Sequence, residues 1–370
     1  MNKLKICFIS LKVAPDGTDG EAIVIRKIYD ILKSKGYDIT LLTGKWERKL
    51  KDPNIIQFKI IRKQFFWFPQ FTLKIIRYLR NHDFDIILGN SPKSSLPIIL
   101  SGKKRFITYI HDLGSFETSL TKIPVEKYLT SYVANKATYI LTVSNFIKKQ
   151  FRKFLPKVNY KKIHNVYNGI DNYFRPYPKK ANKIKEQLGI EGNIILYIGR
   201  IAQYKGIDDI IKAYYLAKKQ IPNLNLVIGG LPDFKTKEKY NQWKQNYKDI
   251  HFIGFIPNKK LPYYYSLGDI FITYSFASEG FGLTPIEAIA CGTPVICSSI
   301  PAYKEVFKDN VIFVKPRSPQ LLSKEIINLL KDDNKKEQLT KKAQNFIKIY
   351  SWKKVAQKIE EIFNKFLSYE

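Results

Sequence analysis

The sequence predicts an α/β protein made of two Rossmann-like, doubly wound domains. Three observations lead to this prediction. Short apolar runs rich in β-branched residues alternate with segments of helical periodicity along the whole chain. The alternation begins again near Asn193, after a stretch at 174–185 with prolines and clustered lysines that we interpret as a linker. A length of 370 residues also exceeds what a single core of ordinary size requires.

The first half contains five apolar runs that predict buried parallel strands, at residues 4–11, 38–42, 85–88, 106–110 and 139–143. Helical periodicity lies between the runs, at 22–35, 71–81 and 125–136. Strands that alternate with helices in this way predict a mostly parallel sheet with helices on both faces.

The second half repeats the pattern, with strands predicted at 194–198, 224–228, 251–253, 270–273, 294–297 and 311–314 and a helix near 207–219. We therefore place one domain at 1–173 and the other at 174–351. The last predicted helix, 352–367, has an apolar stripe, and we expect it to pack back on the first domain.

The charge balance is strongly basic, with 63 Lys and Arg against 32 Asp and Glu and a net charge of +31. Such an excess points to an anionic partner, which includes nucleic acid, acidic lipid or a phosphorylated substrate. Residues 1–175 carry 32 basic and 13 acidic residues, so the excess is larger in the N-terminal half.

The chain has three sparse cysteines, Cys7, Cys291 and Cys297, which form no disulfide framework and no CxxC metal pair. They predict reduced core thiols in a cytoplasmic protein. The apolar run after the basic N-terminus is too short for a signal peptide, and no run of about 18 apolar residues predicts a membrane span.

The most informative segment runs from Ser278 to Val295. Gly280 and Gly282 would let the backbone approach a ligand closely. We interpret Thr284 as an N-cap and Pro285 as the first helical residue, so the helix N-terminus would face an anion such as a diphosphate.

A structural alternative stays open for the second glutamate of this segment. Thr284 and Glu287 have the spacing of a capping box, which would explain Glu287 without any ligand. Capping does not explain Glu279 or the Gly-Phe-Gly that follows it.

Glu279, seven residues, then Glu287 resembles the signature of the retaining GT-B glycosyltransferases of family 4, the glycosyl transferases group 1. Other landmarks of that family occur in the same order: Asp19-Gly20, His111-Asp112, Val143-Ser144-Asn145, Asn168-Gly169-Ile170-Asp171, Gly199-Arg200 and Lys205-Gly206. Each is weak alone, but the ordered set is specific. The resemblance implies two Rossmann-like domains that face each other across a cleft.

The resemblance also implies roles for individual residues. Arg200 and Lys205 would neutralise the leaving nucleoside diphosphate, as a bidentate fork and a point charge respectively. Glu279 would bind hydroxyls of the transferred sugar, and Glu287 those of the ribose. The remaining donor contacts would come largely from backbone groups, at Gly199, Gly254, Phe255, Phe281, Gly282, Leu283 and Thr284.

Two residues of the first domain complete the expected site. His111 follows a predicted strand, and the resemblance implies that it approaches the transferred sugar. Gly20 lies in the first loop, where a phosphate-binding turn is expected. The family has paired glycines there, whereas Asp19 precedes Gly20 in this chain, so the contacts of this loop with the donor are in question.

The resemblance implies transfer of a hexose-type sugar from a UDP- or GDP-sugar, with retention and with no settled protein nucleophile. No cofactor and no metal are expected, because the cations would stabilise the diphosphate. Two alternatives stay open: a glycosyltransferase that modifies nucleic acid, and a donor-binding protein without catalysis.

The acceptor is expected on the first domain and to be lipid-linked or a growing glycan of a surface or a protein. Three cations, Lys59, Arg62 and Lys63, precede four aromatics in a row, Phe65, Phe66, Trp67 and Phe68, and Lys74, Arg77 and Arg80 follow. Aromatic and cationic residues together suit peripheral attachment to an anionic membrane surface. An ordinary strand end with its aromatics packed inward explains the run equally well.

Overall fold

The computed structural model describes residues 4–17, 19–61, 66–113, 116, 125–277 and 279–368. The chain divides into two compact units. The first comprises Met1–Gly169 together with Tyr350–Glu370, and the second comprises Ile170–Ile349. Each unit is an α/β sandwich built on one parallel sheet.

The sheet of the first unit has seven strands: β1 Lys5–Ser10, β2 Asp38–Lys45, β3 Ile55–Lys59, β4 Ile86–Gly89, β5 Ile107–Ile110, β6 Tyr139–Thr142 and β7 Ile163–Asn165. Their order is β3-β2-β1-β4-β5-β6-β7, and all pairs are parallel. The strand order reverses between β1 and β4, which makes this sheet doubly wound.

Five helices lie among the described residues that connect these strands: α1 Gly20–Ser34, α2 Trp67–Arg80, α3 Pro92–Leu100, α4 Val125–Lys136 and α5 Asn145–Phe154. The connections through α2, α3, α4 and α5 all advance in one direction across the sheet, from β3 towards β7. Since crossovers between parallel strands are right-handed, these four helices cover one face and α1 covers the other.

The second unit has a six-stranded parallel sheet in the order β10-β9-β8-β11-β12-β13. Its strands are β8 Ile194–Ile198, β9 Asn225–Gly229, β10 Ile250–Gly254, β11 Ile270–Thr273, β12 Val295–Ser298 and β13 Ile312–Val314. Its helices are α6 Pro178–Gln187, α7 Ile207–Lys218, α8 Lys237–Asn246, α9 Leu261–Tyr265, α10 Leu283–Ala290, α11 Pro301–Phe307, α12 Pro319–Leu330 and α13 Asp333–Ile347.

The last helix, α14 (Trp352–Leu367), belongs to the first unit and packs against α1. Ser351 caps its N-terminus by accepting a hydrogen bond from the amide of Lys354. Its apolar stripe is buried, at Val355, Ile359, Ile362, Phe363 and Phe366. The chain therefore returns to the first unit after the second sheet is complete.

The central strands β1 and β8 are buried along nearly their whole length because helices cover both faces of each sheet. Cys7, Cys291 and Cys297 are buried free thiols, and burial raises the pKa of each. No helix among the described residues is long and apolar enough to cross a membrane.

The structure corrects three details of the sequence analysis. The units divide after Gly169 and again after Ile349, instead of at 173/174 and 351/352. The stretch interpreted as a linker contains α6 and is tied to the second unit, where the amide of Tyr177 donates to Oγ of Ser266. The short strands β3 and β7 were not predicted.

Candidate active site

An ion pair joins two loops at the carboxyl edge of the second sheet. Nζ of Lys205 lies 2.6 Å from Oε1 of Glu279, and the side chains are only 16% and 13% exposed. Oγ of Ser275 donates a second hydrogen bond of 2.6 Å to the same oxygen. Lys205 follows β8 and Glu279 follows β11, and these two strands are neighbours in the sheet. The topology therefore brings the loops together.

Lys205 stays charged in this position. Burial alone would lower its pKa, but the carboxylate of Glu279 and nearby tyrosines outweigh that effect and hold the pKa of Lys205 well above its ordinary value. The site thus presents a cation that is already paired with an anion.

Tyr204 contacts both cations of the predicted donor site. Its hydroxyl accepts a 2.9 Å hydrogen bond from Nη2 of Arg200. Its ring centroid lies 5.1 Å from Nζ of Lys205 and 5.8 Å from Cζ of Arg200. The carbonyl of Arg200 accepts from the hydroxyl of buried Tyr197, so the backbone of this turn is anchored to β8.

Gly206 ends this turn and begins α7. Its φ is +69°, and a Cβ at this position would lie 2.4 Å from the carbonyl oxygen of Tyr274. Glycine is therefore required for both backbone conformation and space. It allows the chain to reverse directly after Lys205, which keeps that side chain at the sheet edge.

Helix α10 starts at the same edge, and its N-terminus differs from the sequence prediction. The N-cap is Gly282, with φ +93°, and Leu283 is the first helical residue, so Thr284 is the second and Pro285 the third. Because glycine has no side chain that could accept from the first-turn amides, those of Leu283 and Thr284 remain available to an anion. A Cβ on Gly282 would meet the Tyr303 ring at 2.8 Å.

Glu287 does not form the capping box that we considered as its structural explanation. It lies in the body of α10, and its buried Oε2 accepts a 2.7 Å hydrogen bond from the hydroxyl of Tyr265. Burial raises the pKa of Glu287 to about 8, and the charge of Asp171 adds to that rise, while the bond from Tyr265 opposes it. A carboxyl with this pKa is largely protonated at neutral pH.

The predicted base-binding segment lies at the end of β10. Gly254 has φ +66°, and its carbonyl accepts a 2.7 Å hydrogen bond from the amide of Gly230. Phe255, the next residue, is exposed. Gly199 lies on the opposite side of β9 from Gly254, and its amide donates to the carbonyl of Gly229 at the end of β9. Phe281, in contrast, is buried, so only its backbone can face a ligand.

The first unit contributes a separate polar cluster around His111. Its Nε2 lies 2.9 Å from Oδ1 of Asn90, and Nδ2 of Asn90 donates to Oγ of Ser10 and to the carbonyl of Glu21. Asn90 therefore presents its oxygen to the ring, so Nε2 of His111 carries the proton and Nδ1 is the acceptor. Burial lowers the pKa of His111 to about 3, which keeps the ring neutral.

Asp19 has a structural function in the first loop. Its carboxylate caps α1 by accepting a 2.9 Å hydrogen bond from the amide of Ala22. Gly20 is the exposed first residue of the helix. The next residue, Glu21, has its pKa raised to about 8, first by burial and then by the charges of Asp112 and Asp19.

The comparisons with known proteins agree with this architecture. A model of glycosyltransferase family 4 matches residues 18–172, and a model of the glycosyl transferases group 1 matches residues 179–346. Between them the two matches span most of both units. The chain belongs to the group 1, family 4 glycosyltransferases.

Relatives of this glycosyltransferase include O-antigen chain mannosyltransferase B of Escherichia coli, 28% identical over 284 residues that cover 73% of this chain and 72% of the relative. Alpha-monoglucosyldiacylglycerol synthase of Acholeplasma laidlawii is 25% identical over 380 residues, which cover 94% and 93%. Among solved structures, Anabaena HepE in complex with UDP and glucose has a TM-score of 0.83 at 20% identity and covers 98% of this chain and 100% of that one. The predicted family and two-domain GT-B fold are confirmed.

The glycosyltransferase thus carries two groups of the predicted residues. In the second unit Lys205 pairs with Glu279 and shares Tyr204 with Arg200, whereas Glu287 has its own partner in Tyr265. In the first unit His111 belongs to the network of Asn90. Among the described residues no group of three or more His, Cys, Asp and Glu could hold a metal.

Five partners in these networks were not singled out from the sequence: Ser10, Asn90, Tyr204, Tyr265 and Ser275. Ser10 ends β1, and Asn90 and Ser275 lie one and two residues after β4 and β11. The rule that ligands bind beyond the carboxyl ends of parallel strands could have identified these three. Tyr265 ends a helix remote in sequence from Glu287, and no local signal marks it.

Proposed function

We propose that this glycosyltransferase is a retaining hexosyltransferase that uses a UDP- or GDP-sugar and glycosylates a lipid-linked acceptor or a growing glycan. The observation that carries the proposal is the pairing of Lys205 with Glu279 beside Arg200 at one sheet edge. A nucleoside diphosphate sugar presents a diphosphate next to sugar hydroxyls, and these groups need a cation next to a carboxylate.

The leaving diphosphate would lie on Arg200, Lys205 and the N-terminus of α10. Two cations and two amides without intrahelical partners supply positive potential on the carboxyl side of β8 and β11. When the bond from C1 of the sugar to the phosphate oxygen breaks, negative charge grows on that oxygen. Groups already held in place stabilise that charge without reorganisation.

The two glutamates would recognise hydroxyls at opposite ends of the donor. Glu279 is held by Lys205 and Ser275, which leaves Oε2 for hydroxyls of the transferred sugar. Glu287, on α10, would accept from the ribose hydroxyls once it is ionised. Gly254 and Phe255 at the end of β10 would contact the base.

Retention would follow from attack on the face that the diphosphate leaves. The acceptor oxygen forms a bond to C1 while the bond from C1 to the diphosphate oxygen breaks, and the acceptor proton passes to a phosphate oxygen. No protein nucleophile is needed, so positioning and charge stabilisation supply the catalysis. The ring of His111 is neutral, so its Nδ1 could accept a hydrogen bond from a sugar hydroxyl without adding charge to the site.

The names of two relatives support the acceptor class. One is an O-antigen chain mannosyltransferase and the other synthesises a glucosylated diacylglycerol. The first name describes a saccharide chain as the product that is built, and the second describes a lipid that carries a glucose.

Thermal unfolding with a panel of nucleoside diphosphates and their sugars tests the donor, because a ligand of the folded state stabilises by mass action. We expect UDP or GDP to raise Tm and AMP to leave it unchanged. Transfer from the selected sugar nucleotide to lipid extracts, with the anomeric configuration of the product read by NMR, then tests acceptor and retention. No stabilisation by any nucleoside diphosphate, or an inverted product, would contradict the proposal.

A further inference from the structure

The outer face of α2 carries an exposed apolar stripe. Phe66, just before the helix, and Leu73 are 64% and 65% exposed, and exposed Pro69 lies between them. The stripe continues into Arg77 and Arg80. Positions 66, 69, 73, 77 and 80 have the three- and four-residue spacing of one helix face. The face is thus apolar at the N-terminal end of α2 and cationic at the C-terminal end.

Helix α4 repeats this arrangement. Val125, Tyr128 and Tyr132 are 63%, 69% and 45% exposed, and Lys136 continues the same stripe to the end of the helix. The spacing is again three, four and four residues. Two helices therefore present the same pattern, apolar first and cationic last.

The two stripes belong to one layer of the first unit. Helix α3 packs between α2 and α4, and all three lie on the same face of the sheet by the handedness of their connections. Each follows a parallel strand, so the three helices run in the same direction. Their apolar ends consequently lie together, and so do their cationic ends.

Exposed apolar groups are concentrated on this layer. Fifteen large apolar side chains are exposed among the described residues, and five of them lie on or directly before α2 and α4: Phe66, Leu73, Val125, Tyr128 and Tyr132. Scattered single exposures are ordinary, but a group of this kind marks an interaction surface.

We propose that this surface, formed by the outer faces of α2 and α4, docks the protein on an anionic lipid bilayer. The inference extends the proposed function and rests on it for the location of the acceptor. It also narrows the set of residues in the membrane hypothesis that came from the aromatic run. Phe65 lies outside the described residues, and Trp67 is half-buried, with its ring centroid 5.7 Å from that of Trp46 in an edge-to-face arrangement. Phe66 is therefore the exposed aromatic of that run among the described residues.

Charge selects lipid as the occupant. The described part of α2 has three cations and no acidic residue, and residues 127–170 contain nine Lys and Arg and no Asp or Glu. Glu126 of α4 is paired with Lys93 of α3. Apolar side chains that enter the acyl boundary beside cations at the phosphate level are the arrangement of a peripheral membrane anchor. Nucleic acid would use the cations but not the apolar stripes.

The location of the surface fits a lipid-linked acceptor. The apolar ends of α2 and α4 are their N-termini, and in a parallel α/β unit these lie at the carboxyl edge of the sheet. His111 follows β5 at that same edge. A bilayer on the proposed surface would thus lie near the part of the first unit where the acceptor is expected.

Sedimentation with vesicles tests the proposal, and it needs neither donor nor transfer. The full chain is mixed with phosphatidylcholine vesicles with and without about 30% phosphatidylglycerol. We expect the protein to bind to the anionic vesicles. This binding should weaken but persist when the salt concentration rises from about 0.05 to about 0.3 M.

The triple variant Phe66→Ser/Leu73→Ser/Tyr128→Ser should bind at least about tenfold more weakly. The double variant Arg77→Ala/Arg80→Ala should have an affinity for anionic vesicles about 25-fold lower than that of the wild type, or about fivefold lower for each cation removed.

A matched control replaces exposed apolar residues of the second unit, Leu216→Ser/Phe234→Ser/Leu321→Ser, and should bind like the wild type. Each variant should keep the wild-type Tm and its response to nucleoside diphosphate, so a failure of lipid docking is distinguishable from a failure of the proposed donor site. The proposal is overturned if the wild type does not sediment with anionic vesicles at low salt, or if the control loses binding as the triple variant does. A dimer that the triple substitution dissociates, or a preference for DNA over vesicles, would assign the surface to another partner.

Discussion

Lys205 and Glu279, 74 residues apart in sequence, form a mostly buried ion pair in which Nζ and Oε1 are separated by 2.6 Å. Each partner belongs to a loop that directly follows one of two neighbouring strands. A donor that binds to Lys205 must share this cation with Glu279. Under the proposed function, the pair would therefore link recognition of the diphosphate to recognition of the sugar.

The first prediction concerns the carboxylate of this pair. Glu279→Gln keeps the size of the side chain but removes the charge of the carboxylate that is proposed to contact the sugar. We expect a loss of about 2–3 kcal/mol of transition-state stabilisation, or about 30- to 150-fold in kcat/KM, in a folded protein. Steady-state kinetics measure it, with exposed Glu238→Gln as the control. A folded Glu279→Gln variant with normal kcat/KM would remove this residue from the site.

The second prediction separates the two cations. Arg200→Ala and Lys205→Ala should both weaken binding of the nucleoside diphosphate, which calorimetry measures. Only Lys205→Ala should also lower Tm, because it leaves the mostly buried carboxylate of Glu279 without its counter-ion, whereas Arg200 is exposed. Exposed Lys212→Ala on α7 is the control for charge alone. Equal Tm values for both variants would contradict the conclusion that Lys205 stabilises the fold as the counter-ion of Glu279.

The third prediction is that transfer does not depend on a divalent metal, because Arg200, Lys205 and the α10 amides are proposed to stabilise the leaving diphosphate. Activity should persist in EDTA, as measured by release of nucleoside diphosphate. Loss of transfer in the chelator, with recovery on addition of Mg²⁺ or Mn²⁺, would show that these groups do not suffice.

The fourth prediction follows from the pKa of Glu287, which burial raises to about 8. If the ionised carboxylate accepts hydrogen bonds from the ribose hydroxyls, the affinity of the protein for the donor should increase as pH rises from about 6 to about 9. The increase should level off above the pKa. Glu287→Gln should bind donor weakly at every pH. Calorimetric titrations across this range measure the effect, and a pH-independent affinity in the wild type would contradict it.

The same pKa has a consequence of opposite sign for stability. The folded-state pKa of Glu287 lies above its ordinary value of 4.5, so the folded protein holds the proton in a range where the unfolded chain has lost it. The free energy of unfolding should therefore decrease as pH rises from 4.5 to about 8, by up to about 1.4 kcal/mol per pH unit for one proton. Urea unfolding should show a shallower decrease for Glu287→Gln than for the wild type. Identical slopes would contradict the raised pKa.

The fifth prediction uses two glycines with nearly the same backbone. Gly282 and Gly36 have φ values of +93° and +90°, but a Cβ would clash with Tyr303 at the first and meet nothing within 4 Å at the second. Gly36→Ala should cost about 1 kcal/mol through backbone strain alone. Gly282→Ala should cost more and should also weaken donor binding, because the start of α10 must shift. Equal Tm changes with intact donor binding would contradict this assignment.

Local sequence determined most elements of the fold. The predicted bounds of β8, β11, α4 and α14 agree with the structure because uninterrupted apolar runs and helical stripes are local patterns. The strands β3 and β7 escaped prediction because β3 is only partly buried and β7 has three residues, so neither shows a marked apolar run. The predicted N-cap of α10 was also wrong. Thr284 has the side chain of a typical N-cap, but the observed N-cap lies two residues earlier, at Gly282, whose φ of +93° is left-handed.

The residue types of the candidate site could also be derived from the sequence, since Glu279, Glu287, Arg200, Lys205 and His111 occur in an ordered set of motifs. Their partners could not. Lys205 meets Glu279 because β8 lies beside β11, and His111, Asn90 and Ser10 meet because β5, β4 and β1 are consecutive in the first sheet. Strand order is set by the packing of whole units and leaves no local periodicity. The sequence thus determined which chemical groups are present, and the tertiary structure decided which of them share a hydrogen bond, lose water and change their pKa.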